Sequence, residues 1–156
     1  MTKPSREQKR QMKSASRLYA VQALFQMEAS DADVDEVRFQ FEAHRFGAIE
    51  DDTEWVEGNV DLFRALLDSA VARQAKIDQM TDRALVAKWP IDRIDPTLRA
   101  LFRAAGAELL IEETPPKVVI SEFVDVAKAF FPDGKEASFV NAVLDHMAHE
   151  AQPQNF

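Results

Sequence analysis

Cysteine is absent from all 156 residues, which excludes disulfides, thiolate nucleophiles and cysteine-ligated zinc or iron–sulfur centres. Glycine is scarce: Gly47, Gly58, Gly106 and Gly134 are the only four, and no two lie close together. Phosphate-cradling loops and dinucleotide fingerprints need clustered glycines, so neither is written here. A Gly-x-Ser-x-Gly nucleophile elbow is missing as well. No apolar run approaches the roughly 18 residues of a membrane span. The basic N-terminus has no apolar segment behind it, so it does not read as a secretory signal. Internal repeats and low-complexity tracts are lacking. A soluble, cytoplasmic protein without a catalytic motif, metal or cofactor is the expectation.

What remains is a length and composition sufficient for one packed domain. Hydrophobic residues make up 46% of the chain, and a chain this long buries about 70% of its unfolded surface on folding. Charge is plentiful but unevenly placed. The formal net charge is −8, yet Lys3, Arg6, Lys9, Arg10, Lys13 and Arg17 face only Glu7 in the first 17 residues. The rest of the chain holds 13 basic and 26 acidic residues, and twelve of those acids fall between positions 28 and 61. A basic arm on an acidic body suits contact with a polyanion while limiting indiscriminate adhesion.

The periodicity is helical throughout, and no stretch alternates apolar with polar residues. A first helix starts at Ser5, which has capping-box spacing to Gln8. Met12, Ala15, Tyr19 and Ala23 share one of its faces. Arg6, Arg10, Lys13 and Arg17 fall within about 60° of each other on another. Beyond Ala20 the helix is apolar nearly all round, which predicts burial, so the basic half should project from the body. A second helix is predicted over 31–46, with Val34, Val37 and Phe41 on one stripe. Asp51 and Glu54 suggest the cap of a long third helix that carries Trp55, Leu62, Phe63, Leu66 and Ala70. A shorter helix around 77–88 ends before Pro90. Asp95 and Pro96 open the next helix, with Leu98, Leu101, Phe102, Ala105 and Leu109 in register and Gly106 placed to admit a close neighbour. After Pro115-Pro116 another helix presents Val119, Phe123, Val126, Ala127 and Phe130. Pro132 to Gly134 make a turn. Val140, Val143, Leu144 and Met147 face inward on the last helix, and residues 151–156 read as a frayed tail.

Three features could carry chemistry. The four cations of the basic stripe repel one another at rest and gain most when phosphates arrive and counterions leave; the alternative is a solubilising helix end. Phe139 sits 80–100° off the inward stripe of the last helix, where a rim ring could stack on an unpaired base or pack on a neighbouring helix. His146 and His149 have a spacing that two metal ligands could share, but they also suit a helix C-terminus, and no further ligand cluster accompanies them.

Three segments together resemble the NusB family of transcription antitermination factors: "RLYAVQALFQME" (17–28), "RAAGAELLIEETPPKVVISEFVDVAKAF" (103–130) and "SFVNAVLDHM" (138–147). The resemblance covers nearly the whole chain and is weakest between residues 29 and 91. It implies an all-α fold of about seven helices in two packed subdomains within one domain, 1–156. The N-terminal subdomain would span 1–90 and the C-terminal one 91–150, leaving 151–156 as the tail. It implies a non-enzymatic role, binding the boxA element of nascent ribosomal RNA as a single strand together with NusE, a ribosomal protein, in the service of the transcription elongation complex. The family's RNA-contacting basic segment falls on Lys13, Ser14, Ala15 and Arg17, so its cations are thinned, with Arg6, Lys9 and Arg10 one or two turns upstream. Its RNA-facing aromatic falls on Phe139. The RNA-binding set implied is Arg6, Arg10, Lys13, Arg17 and Phe139. The chain departs from the family pattern at Phe25, Ala107, Ser121 and Ala142. The sequence leaves open a module akin to the RNA-binding domain of ribosomal RNA cytosine methyltransferases, a protein-only scaffold, and a homodimer that buries the RNA surface.

Overall fold

The computed structural model describes residues 3–44, 46, 49–50, 53–54, 57–85 and 93–156. Among them are seven α-helices: α1 (Arg6–Ser30), α2 (Val34–His44), α3 (Val60–Ala72), α4 (Gln74–Ala84), α5 (Pro96–Ile111), α6 (Pro116–Phe130) and α7 (Lys135–Ala151). The fold is all-α, as the helical periodicity predicts. A two-residue hairpin, β1 (Ile49–Glu50) against β2 (Thr53–Glu54), is the exception that the sequence did not signal. No helix among the described residues is long and apolar enough to cross a membrane.

The start of α1 follows its capping box: Ser5 Oγ accepts the Gln8 amide at 3.1 Å and Gln8 Oε1 accepts the Ser5 amide at 2.7 Å. Helix α5 opens as its Asp-Pro pair dictates, with Asp95 Oδ1 accepting the Thr97 amide at 2.7 Å. It is the central helix, packing on α1, α3, α4, α6 and α7. Its stripe of Leu98, Leu101, Phe102, Ala105 and Leu109 is buried, and so are Val119, Phe123, Val126 and Ala127 on α6 and Val140, Val143, Leu144 and Met147 on α7. Gly106 serves the close approach expected of it. A Cβ there would lie 2.5 Å from Ile77 of α4 and 3.2 Å from Met147 of α7.

Helix α3 corrects the expectation for the region before it. Glu54 lies in β2, and α3 begins at Val60 with Asn59 as its cap, its side chain accepting the Leu62 amide at 2.9 Å. The competing start at Asp51, with Trp55, lies outside the described residues, as do Lys88 and Pro90 after α4. Asn59 wins because its backbone is tied down from α1. Its amide donates to Ser16 Oγ at 2.6 Å, and its carbonyl accepts the Ser16 hydroxyl at 2.7 Å. That approach requires Gly58. A Cβ at this position would sit 2.5 Å from the Phe46 ring and 2.9 Å from Ser16 Oγ. Phe46 cannot swing aside, since its ring is held by Tyr19 and Phe63 at centroid distances of 5.3 and 5.0 Å. Gly58→Ala is expected to destabilise the fold by about 1–3 kcal/mol through overpacking. Denaturant melts would check this, and an unchanged midpoint would mean that the Phe46 cluster yields freely.

Two further expectations are overturned. Phe25, on the part of α1 that reads as wholly buried, is 40% exposed. The C-terminal tail is docked, not frayed: buried Gln152 donates its side-chain amide to the Leu109 carbonyl at 2.7 Å, and residues 153–155 form a 3-10 turn. One of the last carbonyls of α5, which no longer has a helical partner, is thereby satisfied.

Candidate RNA-binding surface

The N-terminal turns of α1 extend away from the core. Residues 5–11 are exposed on every side, and fully buried positions begin only at Ser16 and Arg17, followed by Tyr19 to Val21, Ala23 and Leu24. Arg6, Arg10 and Lys13 are all exposed on this arm. Arg10 pairs with Glu7 at 2.9 Å, a surface contact of at most about 1 kcal/mol that a phosphate can displace. Beside the arm, α1 and α6 border a groove of about 700 Å³ whose walls include Arg10, Leu18, Glu122 and Val126.

Arg17 does not belong to this surface. It lies in the angular sector of the stripe, but α1 has entered the body by then, and the residue is only 3% exposed. Its Nε and one terminal nitrogen donate to Glu108 at 2.7 and 2.8 Å, and Glu122 lies 3.4 Å from the other. Glu122 also accepts the Ser14 hydroxyl at 2.8 Å. Burial by itself would lower the Arg17 pKa, but the hydrogen bond and charge of Glu108, aided by Glu122, outweigh it and raise the pKa above the ordinary arginine value. The guanidinium is a fixed internal cation joining α1, α5 and α6, and no face of it is left for a phosphate. Arg17 is therefore withdrawn from the predicted RNA-binding set.

Phe139 is 39% exposed, while Val140 next to it is fully buried. Its inner edge meets the buried Phe102 ring edge-to-face, at a centroid distance of 6.2 Å and an interplanar angle of 70°. The core thus holds the ring in place and leaves part of it open. Below it is a hollow of about 240 Å³ lined by Arg93, Ile94, Asp95 and Leu98. Arg93 and Asp95 carry no sequence signal beyond the helix cap; only the packing of α7 across the start of α5 brings them to Phe139.

Both His146 and His149 are exposed, and His149 packs at the end of α7. His149 Nδ1 lies 2.8 Å from the Asp145 carbonyl, and its ring stacks on Phe156 with centroids 3.7 Å apart. Among the described residues, no group of three or more His, Cys, Asp or Glu side chains could hold a metal ion.

Comparison with known proteins places this geometry among relatives. The NusB family model matches residues 14–149. The transcription antitermination protein NusB of Maricaulis maris is 42% identical over 151 residues, which are 96% of this chain and 94% of that protein. Among solved structures, T. maritima NusB superposes with a TM-score of 0.69 at 30% identity, covering 90% of this chain and 93% of that one. A crystal structure of antitermination factors NusB and NusE in complex with dsRNA matches with a TM-score of 0.67 at 23% identity, covering 88% and 96% of the two chains. At that identity the likeness speaks for the fold.

Proposed function

Since this chain belongs to the NusB family, we propose that it is a non-enzymatic, RNA-binding transcription antitermination factor that holds boxA of nascent ribosomal RNA together with NusE. The observation that carries the reading is the exposed arm of α1, with Arg6, Arg10 and Lys13 on an otherwise acidic protein. Cations so placed gain from counterion release when they meet a phosphate backbone. The partly open ring of Phe139 favours a single strand, because only an unpaired base can stack on it.

NusE supplies what the arm lacks. The three exposed cations of the stripe give modest affinity, and a second protein bound to the same strand multiplies it through effective concentration. The acidic excess of the body suits a ribosomal protein, a class that is basic, and would steer its approach. The joint complex is the form that the transcription elongation complex would receive.

The test is fluorescence anisotropy of a labelled single-stranded boxA RNA, titrated at two salt concentrations with and without NusE, beside a scrambled RNA. The expected result is selective binding, tightened at least about tenfold by NusE and weakened by salt. A folded protein that binds neither RNA in any arm would overturn the reading.

A further inference from the structure

Arginines in this protein are mostly engaged. Arg38 meets Asp68 at 2.8 Å, Arg64 meets Glu42 at 2.6 Å and Arg103 meets Asp78 at 2.9 Å. Among the described residues, only Arg6 and Arg93 have neither a carboxylate nor a carbonyl partner. Arg6 is on the arm. Arg93 is exposed at the mouth of the hollow beneath Phe139, in a chain with 27 acidic residues that could have paired it. Asp95, on the same wall, uses Oδ1 to cap α5, and its Oδ2 has no hydrogen-bond partner among the described residues. An unpaired cation, a free carboxylate oxygen and a held aromatic ring thus converge on one small cavity.

The geometry points to this hollow as a base-selective subsite, an inference that rests on the RNA-binding reading above. One unpaired base stacks on Phe139, Asp95 Oδ2 accepts a hydrogen bond from its exocyclic amine, and Arg93 neutralises an adjacent phosphate. The carboxylate makes the subsite selective. Cytosine, adenine and guanine each offer an amine that donates to an acceptor. Uracil offers carbonyl oxygens on both sides of its single N–H, so a carboxylate meets like charge. The preference is for an amino-bearing base over uracil. The core behind Phe139 keeps the ring in place before the base arrives, so little ordering cost falls on binding.

Cytosine and uracil have nearly the same shape, so labelled oligo(C) and oligo(U) of equal length isolate the effect. Anisotropy titrations of the full chain should show oligo(C) bound about tenfold more tightly. Asp95→Asn keeps the helix cap, since Asn caps as well as Asp; it removes the charge and adds a donor for a uracil carbonyl. The ratio should fall to about one or reverse. Phe139→Ala should weaken both polymers and flatten the ratio, and Arg93→Gln should weaken both equally with a shallower salt slope.

A wild-type ratio near one, or a ratio that Asp95→Asn leaves unchanged, overturns the subsite while leaving RNA binding by the arm intact. Charge reversal on α1 that leaves both affinities unaltered overturns the arm, and the oligo(C) to oligo(U) ratio still reports on the hollow. Binding of neither polymer overturns both.

Discussion

Charge reversal of Arg6, Arg10 and Lys13 together is expected to abolish most RNA binding and leave the fold untouched. Each phosphate contact on a single strand releases about 0.7 of a counterion, so losing one at physiological salt weakens binding about fourfold and losing three about fiftyfold. Reversal adds repulsion, which makes about fiftyfold a lower bound. The slope of log affinity against log salt should become shallower by about two. Stability should hold, because these side chains are exposed and an acid at position 6, in the first turn of α1, suits the helix dipole. Anisotropy at several salt concentrations, with circular dichroism as control, measures both. An arm variant with unchanged affinity would mean that the stripe is only a solvated helix end.

The opposite pattern is expected at Arg17. Arg17→Ala leaves Glu108, itself only 1% exposed, as a buried charge without its partner. Breaking one side of such a pair costs about 3–5 kcal/mol, which lowers the melting temperature of a domain this size by roughly 10–15 °C. Replacing both partners, as in Arg17→Met with Glu108→Leu, should recover most of the loss, since apolar side chains of similar volume avoid the desolvation of either charge. Below its own melting temperature Arg17→Ala should bind RNA as the wild type does. Calorimetry and anisotropy on one sample separate these effects. A variant of wild-type stability that had lost RNA affinity would show that the guanidinium acts outside the core.

Arg6 and Arg17 differ in this way because of where α1 meets the body. Angular position around a helix is legible from residue spacing, and it correctly groups Met12, Tyr19 and the cations. Depth along the helix axis is set by what packs beside it. Nothing near Arg17 in the sequence announces Glu108, which is 91 residues away. The same limit explains α3, where Asp51 and Asn59 both resemble caps and only the Ser16 contacts choose between them. It also explains Gln152, whose polar composition reads as a loose end until the Leu109 carbonyl is seen waiting for it. Stripes such as Leu98 to Leu109 were legible because they need only one periodicity and one core. Phe139 was legible as an anomaly on such a stripe, whereas Arg93 and Asp95 became visible only across the α5–α7 contact.

The Arg17–Glu108 link also sets an order of events during synthesis. The ribosome makes α1 long before it makes α5, so Arg17 waits for Glu108 while 91 further residues are added, and until then the apolar stretch from Tyr19 to Leu24 has only α2, α3 and Phe46 to cover it. Contacts this distant along the chain form late, and apolar segments that wait exposed are prone to aggregate. The nascent N-terminal half is therefore a natural client for a chaperone at the exit port. Protease pulses on stalled nascent chains should find α1 cleavable until residues beyond Leu109 have emerged, and protected soon after.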